Sequence, residues 1–167
     1  MILTGYARQI AGDLDPGQII DAEAARSGDP AELAAACLAA VDPSLAERVR
    51  EGDLLVVDGA LAGGAGAEVA VLALQALGFA AVICKHADAE LAALGAIYGL
   101  PLLSVAAAPG QIGEGALLRI DLERGQIEAE GRRWSVAPLD SMALAAVRRG
   151  QLLARMRRVV EDEGFAE

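Results

Sequence analysis

Aromatic residues make up only 3% of this 167-residue chain, so large rings cannot fill its interior. Ala, Leu and Val must do so, and small side chains suit closely packed layers of helix and sheet. Cysteine is equally scarce. Cys37 and Cys84 are the two in the chain, too few for a disulfide framework or a four-thiolate cluster. Both lie in apolar runs, Cys37 in a helical one and Cys84 at a strand end, and read as buried structural thiols. There is one histidine, His86. The 14 basic residues are outnumbered by 24 acidic ones, for a net charge of −10. That balance argues against nucleic acid, whose phosphates need clustered Lys and Arg, and equally against an anionic membrane surface. An anionic substrate would need a local positive site that overrides the global field. Met1–Ile10 lacks the apolar core of a secretory signal. The apolar run from Leu54 to Cys84 is interrupted by Asp58, Glu68, Gln75 and a glycine cluster, and a carboxylate in mid-bilayer is costly. The run therefore reads as a buried strand–helix–strand unit, and a cytoplasmic location is expected.

What the chain has in abundance is apolar surface, 54% of its residues. That is enough for one domain spanning residues 1–167. Gly5–Asp21 reads as an irregular opening segment with one apolar pair, Ile19 and Ile20. Asp29-Pro30 is a helix start, an Asp cap followed by Pro at the first helical position, with the helix running through Ala40. Asp42-Pro43 repeats the device and opens a short helix to about Arg50. Buried strands are expected at Asp53–Val57, Ala80–Cys84 and Pro101–Val105. Helices Glu68–Leu77 and Asp88–Tyr98 lie between them, ended by Gly78 and Gly99. Strand–helix–strand–helix–strand with short loops implies parallel strands and right-handed crossovers. The tail changes character: short strands at Ala116–Leu122, Gln126–Glu130 and Arg133–Val136, then a helix from Asp140 towards Glu163.

The loop from Gly59 to Ala67 joins a strand to a helix N-terminus. Unpaired N–H groups there point outward and the helix dipole favours an anion. Ligands of open parallel sheets also bind at the carboxyl ends of strands. This is the best place for a site. Known nucleotide motifs fail, however. Gly64-Ala65-Gly66 lacks its third glycine, the position being Val69, and the loop has no Lys for a phosphate. Glu68 in the first turn would repel one. A tight turn that only lets helix and sheet pack closely is the competing explanation.

Taken together, Val49-Arg-Glu-Gly-Asp-Leu-Leu-Val-Val57, Gly64-Ala-Gly-Ala-Glu68, Ala73-Leu-Gln-Ala-Leu-Gly78, Ala81-Val-Ile-Cys-Lys85 and Gly99-Leu-Pro-Leu103 resemble the small subunits of isopropylmalate dehydratase and homoaconitase. The spacing matches without a gap from Gly52 through Leu103. The resemblance implies an α/β fold, the swivelling β/β/α domain of the aconitase superfamily, with a central partly parallel sheet. It also implies a hydro-lyase of the leucine-biosynthesis type acting on a 2-hydroxy acid. Its partner would be a large subunit carrying a [4Fe–4S] cluster, with no cofactor and no metal ligand on this chain.

The departures from the family fall on its chemical positions. The family's Gly-Ser-Ser-Arg-Glu supplies a serine base and an arginine for a substrate carboxylate. The matching residues here are Gly64, Ala65, Gly66, Ala67 and Glu68. The family's Lys-Ser-Phe/Tyr-Ala-Arg matches Lys85-His86-Ala87-Asp88-Ala89, so a second arginine is missing. Its Asp-Thr-Asp-x-Ile-Ile-Pro appears as Asp15-Pro16-Gly17-Gln18-Ile19-Ile20-Asp21. No residue is assigned a catalytic role. The candidates are the pair Lys85 and His86, the substrate loop Gly63–Glu68, and secondarily Asp15. Asp13 and Asp15 could together bind a cation, or are turn residues capping local N–H groups. Trp134 and Tyr98 read as packing or interface residues, and the arginines from Arg148 to Arg158 as solvated partners of Glu161 and Asp162. Three readings stand: a small subunit with impaired or altered catalysis, a stand-alone module binding a small anion at the loop, and a structural or regulatory paralogue. A homo-oligomer is the alternative to a heteromer. The isolated chain is expected to purify colourless and free of iron; stoichiometric iron and sulfide after anaerobic purification would contradict this.

Overall fold

The structure, a computed structural model, describes residues 1–163. Its centre is a seven-stranded sheet in the order β4-β3-β2-β1-β5-β6-β7. Strand β1 covers Ile2–Ala11, β2 Leu54–Leu61, β3 Ala81–Ala87 and β4 Leu102–Ser104. These four are mutually parallel. Strands β5 (Leu117–Asp121), β6 (Gln126–Ala129) and β7 (Arg132–Ser135) extend the sheet antiparallel from the other edge of β1. The parallel half matches the expectation from sequence.

The first strand does not. Gly5–Ala11 belongs to a ten-residue strand, not to an irregular segment. Its residues Ile2, Thr4 and Tyr6 face solvent, so the apolar signal that marks a buried strand is missing. Pairing on both edges makes it a strand anyway. Arg8 is part of that pairing: its Nε donates to Asp53 Oδ2 at 2.7 Å, and Asp53 also accepts from Arg50 N at 2.9 Å. Asp53 is 2% exposed, and these two donors are its partners in that buried position. The carboxylate in turn holds the Arg8 guanidinium above its ordinary pKa.

Helices α1 (Pro16–Ile19), α2 (Pro30–Ala36), α4 (Ala67–Leu77) and α5 (Ala89–Tyr98) pack on one face of the parallel half. Leu55, Val57, Val82 and Cys84 meet them there. Leu54, Val56, Ala81 and Ile83 point the other way, into a second core with Leu118, Ile120 and Ile127. Strands buried on both faces read as continuous apolar runs, which is why β2 and β3 are legible in the sequence. Asp29 caps α2 through Ala31 N and Asp88 caps α5 through Glu90 N and Leu91 N. Gly78 and Gly99 close α4 and α5 at φ 116° and 82°.

Two helices are shorter than their sequence signals. Helix α2 stops at Ala36 because Cys37 turns extended and buries its thiol, and Leu38 follows at φ 58°. Cys37 therefore caps a helix rather than lying within one. Helix α3 covers only Leu45–Arg48, with Val49 already extended on the way to β2. The last helix, α6 (Ser141–Asp162), is capped by Asp140 through Ala143 N. Its arginines find partners outside the helix: Arg148 with Glu123 at 3.0 Å and Arg158 with Glu51 at 2.5 Å. Among the described residues no helix is long and apolar enough to cross a membrane.

Replacing Arg8 by Leu leaves the Asp53 carboxylate buried without its charged partner. We expect a loss of about 2–3 kcal/mol in urea unfolding. Arg48→Leu breaks pairs in which Arg48 and Glu114 are exposed and Asp42 is half-buried, and should cost under about 1 kcal/mol. Equal losses for the two variants would remove the special role of the Arg8–Asp53 pair.

Candidate functional site

The carboxyl ends of β1, β2 and β3 form one rim. β2 runs on to Leu61, four residues past the end expected at Val57, because its register shifts between Val57 and Ala60 and pairing with β3 then resumes. A β-bulge of this kind bends a strand and re-aims its side chains. Gly59 lies at the bend, where a Cβ would sit 2.3 Å from the Gly12 backbone. After the bulge Ala60 N donates to Asp13 Oδ1 at 2.8 Å. Leu14 and Ala60–Ala62 exchange backbone bonds, drawing the segment after β1 alongside the end of β2.

The loop proper is short, Ala62 to Gly66, and then α4 begins. Gly64 and Gly66 hold φ of 101° and 84°, a left-handed conformation that glycine adopts without strain. Gly66 is the N-cap of α4 and offers no side chain to its first turn. Gly64, Ala65 and Gly66 are exposed, but Ala67 is 4% exposed and packs into the core. Glu68 is engaged sideways: its Oε1 accepts from the Tyr98 hydroxyl of α5. That bond raises the pKa of the phenol, and it gives Tyr98 a packing role.

Beside the loop lies an open pocket of about 400 Å³ lined by Asp13, Leu14, Asp15, Gln18, Ala60–Gly63, His86 and Asp88. The structure thus brings together Asp15, Gly63 and His86 from the candidates named by sequence. Each carboxylate in it already serves the backbone. Asp15 Oδ1 accepts from Gln18 N at 2.9 Å, in a reciprocal capping box. Asp13 holds Ala60, and Asp88 caps α5 while packing on Gly63, where a Cβ would meet Asp88 Oδ1 at 2.4 Å. Asp15 caps a local N–H, as the capping reading has it, whereas the N–H that Asp13 holds comes from Ala60 on β2. No Arg or Lys is among the residues lining this pocket.

Lys85 and His86 do not share one site in the structure. Successive strand residues point to opposite faces. His86 lines the pocket, whereas Lys85 Nζ lies 2.9 Å from Asp58 Oδ1. Asp58 is the residue sequence reasoning missed. It stands in the bulge of β2 opposite Lys85, beside Gly110 of the 3-10 turn Pro109–Gln111. A bulge has no sequence signature that would have placed it there, although Asp58-Gly59 at the end of an apolar strand hinted at irregularity. The site loop therefore has an acidic, imidazole-bearing side and, across the sheet, a lysine whose charge is matched by an aspartate.

No protein-family model matches the chain. A 3-isopropylmalate dehydratase small subunit from Moorella thermoacetica is 31% identical over 164 residues, covering 96% of this chain and 98% of that protein. The chain belongs to the small-subunit family of 3-isopropylmalate dehydratase and homoaconitase. Members of this hydro-lyase small-subunit family include one from Heliobacterium modesticaldum, 31% identical over 98% of this chain and all of its own length. A methanogen homoaconitase small subunit from Methanocaldococcus jannaschii is 34% identical over 76% of this chain and 74% of its own. The crystal structure of a 3-isopropylmalate dehydratase chain from that organism superposes with a TM-score of 0.81. It is 26% identical and covers 98% of this chain and 99% of the other. The mixed α/β fold with its partly parallel sheet is thus the family's own.

The donor set on this chain does not fit an iron–sulfur cluster. A cluster is held by thiolates, whereas burial pushes the Cys37 thiol up to about 12 and Cys84 up to about 11. The two sit in the core, 1% and 0% exposed, and no group of three potential metal ligands occurs among the described residues. Both thiols should therefore ignore a disulfide reagent in the folded protein at pH 8 and react together once denaturant is added. Rapid reaction of either thiol in native buffer would show that its burial is transient.

Proposed function

We propose that this chain is the small subunit of a 3-isopropylmalate dehydratase-type hydro-lyase whose turnover of ordinary 2-hydroxy di- and tricarboxylates is impaired or altered. Its partner in this reading is a large subunit that carries a [4Fe–4S] cluster, in a reducing compartment such as the cytoplasm. The cluster, on the partner, would act as a Lewis acid at the substrate hydroxyl. The observation that carries the reading is the loop itself: Gly63–Glu68 occupies the carboxyl end of the parallel strands with neither a hydroxyl nor a guanidinium.

Dehydration removes a proton from one carbon and hydroxide from its neighbour, so a base must stand at the first carbon. The exposed positions Ala65 and Gly66 offer none, and positioned acid–base groups are worth roughly 10²–10⁴-fold in rate. A hydroxyl residue in place of Gly66 would also have to adopt φ of 84°, which costs a side chain about 1 kcal/mol. Carboxylate binding is weakened as well. Ala67 and Ala89 cannot make charge-assisted contacts worth roughly 1.5–3 kcal/mol each. The pocket beside the loop adds Asp13, Asp15 and Asp88, whose charges oppose a polycarboxylate and weigh against a stand-alone anion site. His86 remains as a candidate acid or base at the mouth, and Lys85 as a candidate carboxylate anchor once parted from Asp58.

The test is to mix the chain with an isopropylmalate- or homoaconitate-type large subunit and follow hydration of the unsaturated acid by absorbance, after confirming the complex by size exclusion. Turnover at least about 100-fold below that of an ordinary small subunit is expected. Full activity would show that the catalytic groups lie elsewhere. If activity persists, its loss in His86→Ala or Lys85→Ala assigns it to that residue. Failure to form the complex would favour the structural or regulatory reading.

A further inference from the structure

Lys85 is the only lysine in the chain, and it stands where β3 leaves the core, next to His86 at the site end. Two residues of β2, Asp58 and Gly59, oppose it there, because pairing passes from Val57–Cys84 directly to Ala60–His86. Alternation along the strands puts Asp58 and Lys85 on the same side of the sheet, the side that carries Ala108 and Ile112. Nζ and Oδ1 approach to 2.9 Å.

Asp58 differs from the other carboxylates at this end. Asp13, Asp15 and Asp88 each accept from a backbone N–H. Among the described residues Asp58 Oδ1 is closed to solvent and has no hydrogen-bond partner. The Lys85 ammonium meets it as a charge, off the direction of a hydrogen bond. Gly110 lies against the same carboxylate, where a Cβ would sit 3.5 Å from Oδ1 and 3.6 Å from Oδ2. The two side chains are 48% and 34% exposed, and a pair so placed adds little to stability. What the pair changes is the charge that the site end shows. A carboxylate approaching Lys85 meets the negative Asp58 beside it, and must either bear that repulsion or displace a carboxylate already in place. No other cation stands in for the lysine, since neither Arg nor Lys lines the pocket on the other side.

We propose that Asp58 is a specificity-determining residue: it masks Lys85, so that the site end rejects a substrate carboxylate that the lysine would otherwise hold. The substrate class that suits the chain as it stands is a 2-hydroxy acid with a neutral group at that position. The substrate class rests on the dehydratase reading, whereas the masking is a property of this chain alone.

Because Lys85 is the one lysine, reductive methylation with labelled formaldehyde puts a single NMR probe on an ε-amine, apart from the α-amine signal. Citrate is then titrated against the full chain at constant ionic strength. The wild-type signal should stay in place. In Asp58→Asn it should move saturably, with a midpoint at least about tenfold below any wild-type response. Asp58→Ser should behave alike, with far-UV circular dichroism unchanged in both. A wild-type signal that already follows citrate overturns the proposal, as does a folded Asp58→Asn or Asp58→Ser chain whose signal stays still. The titration needs no partner, so its failure is distinct from a failure to dock or turn over. In the complex with a large subunit, Asp58→Asn should lower KM for a 2-hydroxy dicarboxylate and leave kcat little changed, and Lys85→Ala should cancel the gain. A gain in kcat alone would overturn the assignment to specificity.

Discussion

Strand β1 hydrogen-bonds in parallel to β2 along one edge and antiparallel to β5 along the other, and the two halves of the molecule are joined through it. The sheet buries one core under the helices and a second on its opposite face, where residues of β2 and β3 meet those of β5 and β6. The two cores share a single sheet, so the register of β1 sets how they lie against each other. Arg8 and Asp53 lock that register, because the buried carboxylate at the start of β2 is paired with the guanidinium from β1. A one-residue slip would send alternate side chains to the wrong face and leave Asp53 unpaired.

The site end follows from the same pairing. As β1 ends, Asp13 and Leu14 run beside the bulged end of β2, and α1 abuts the glycine loop through Pro16, 3.6 Å from where a Gly66 Cβ would point. Glycines at 59, 63, 64 and 66 permit these approaches, each for a separate reason: contact with the Gly12 backbone, contact with Asp88, and left-handed turns at the last two. Such a loop is held by backbone geometry. Asp15 and Asp88 cap helices, Asp13 holds the end of β2 and the imidazole of His86 lines the pocket, so the surface presents shape and hydrogen-bonding backbone more than positioned acid, base or cation.

Much of this was legible in the sequence. Asp29-Pro30 and Asp88 state where α2 and α5 begin, and Gly78 and Gly99 where α4 and α5 end, because capping is a local matter of a few adjacent residues. The apolar runs of β2 and β3 declare strands buried on both faces. The short strands of the tail were legible from their turns. The order and spacing of these segments carried the family likeness that the relatives bear out. Strand β1 was hidden because its outer residues are Thr4, Tyr6 and Arg8, polar or exposed, and nothing nearby in sequence reveals that both its edges are paired.

The sequence by itself determined the local devices: the caps, the glycine turns, the buried strands, the acidic charge and the residues that stand in the loop. These depend on interactions within a few residues of chain, or on residue identity alone. Tertiary structure alone decided that β1 joins the two halves. It decided too that Lys85 turns to Asp58 while its neighbour His86 turns to the pocket, and that Ala67 faces the core. Each of these depends on contacts across tens of residues, and on a bulge in β2 that reassigns which side of the sheet a side chain meets.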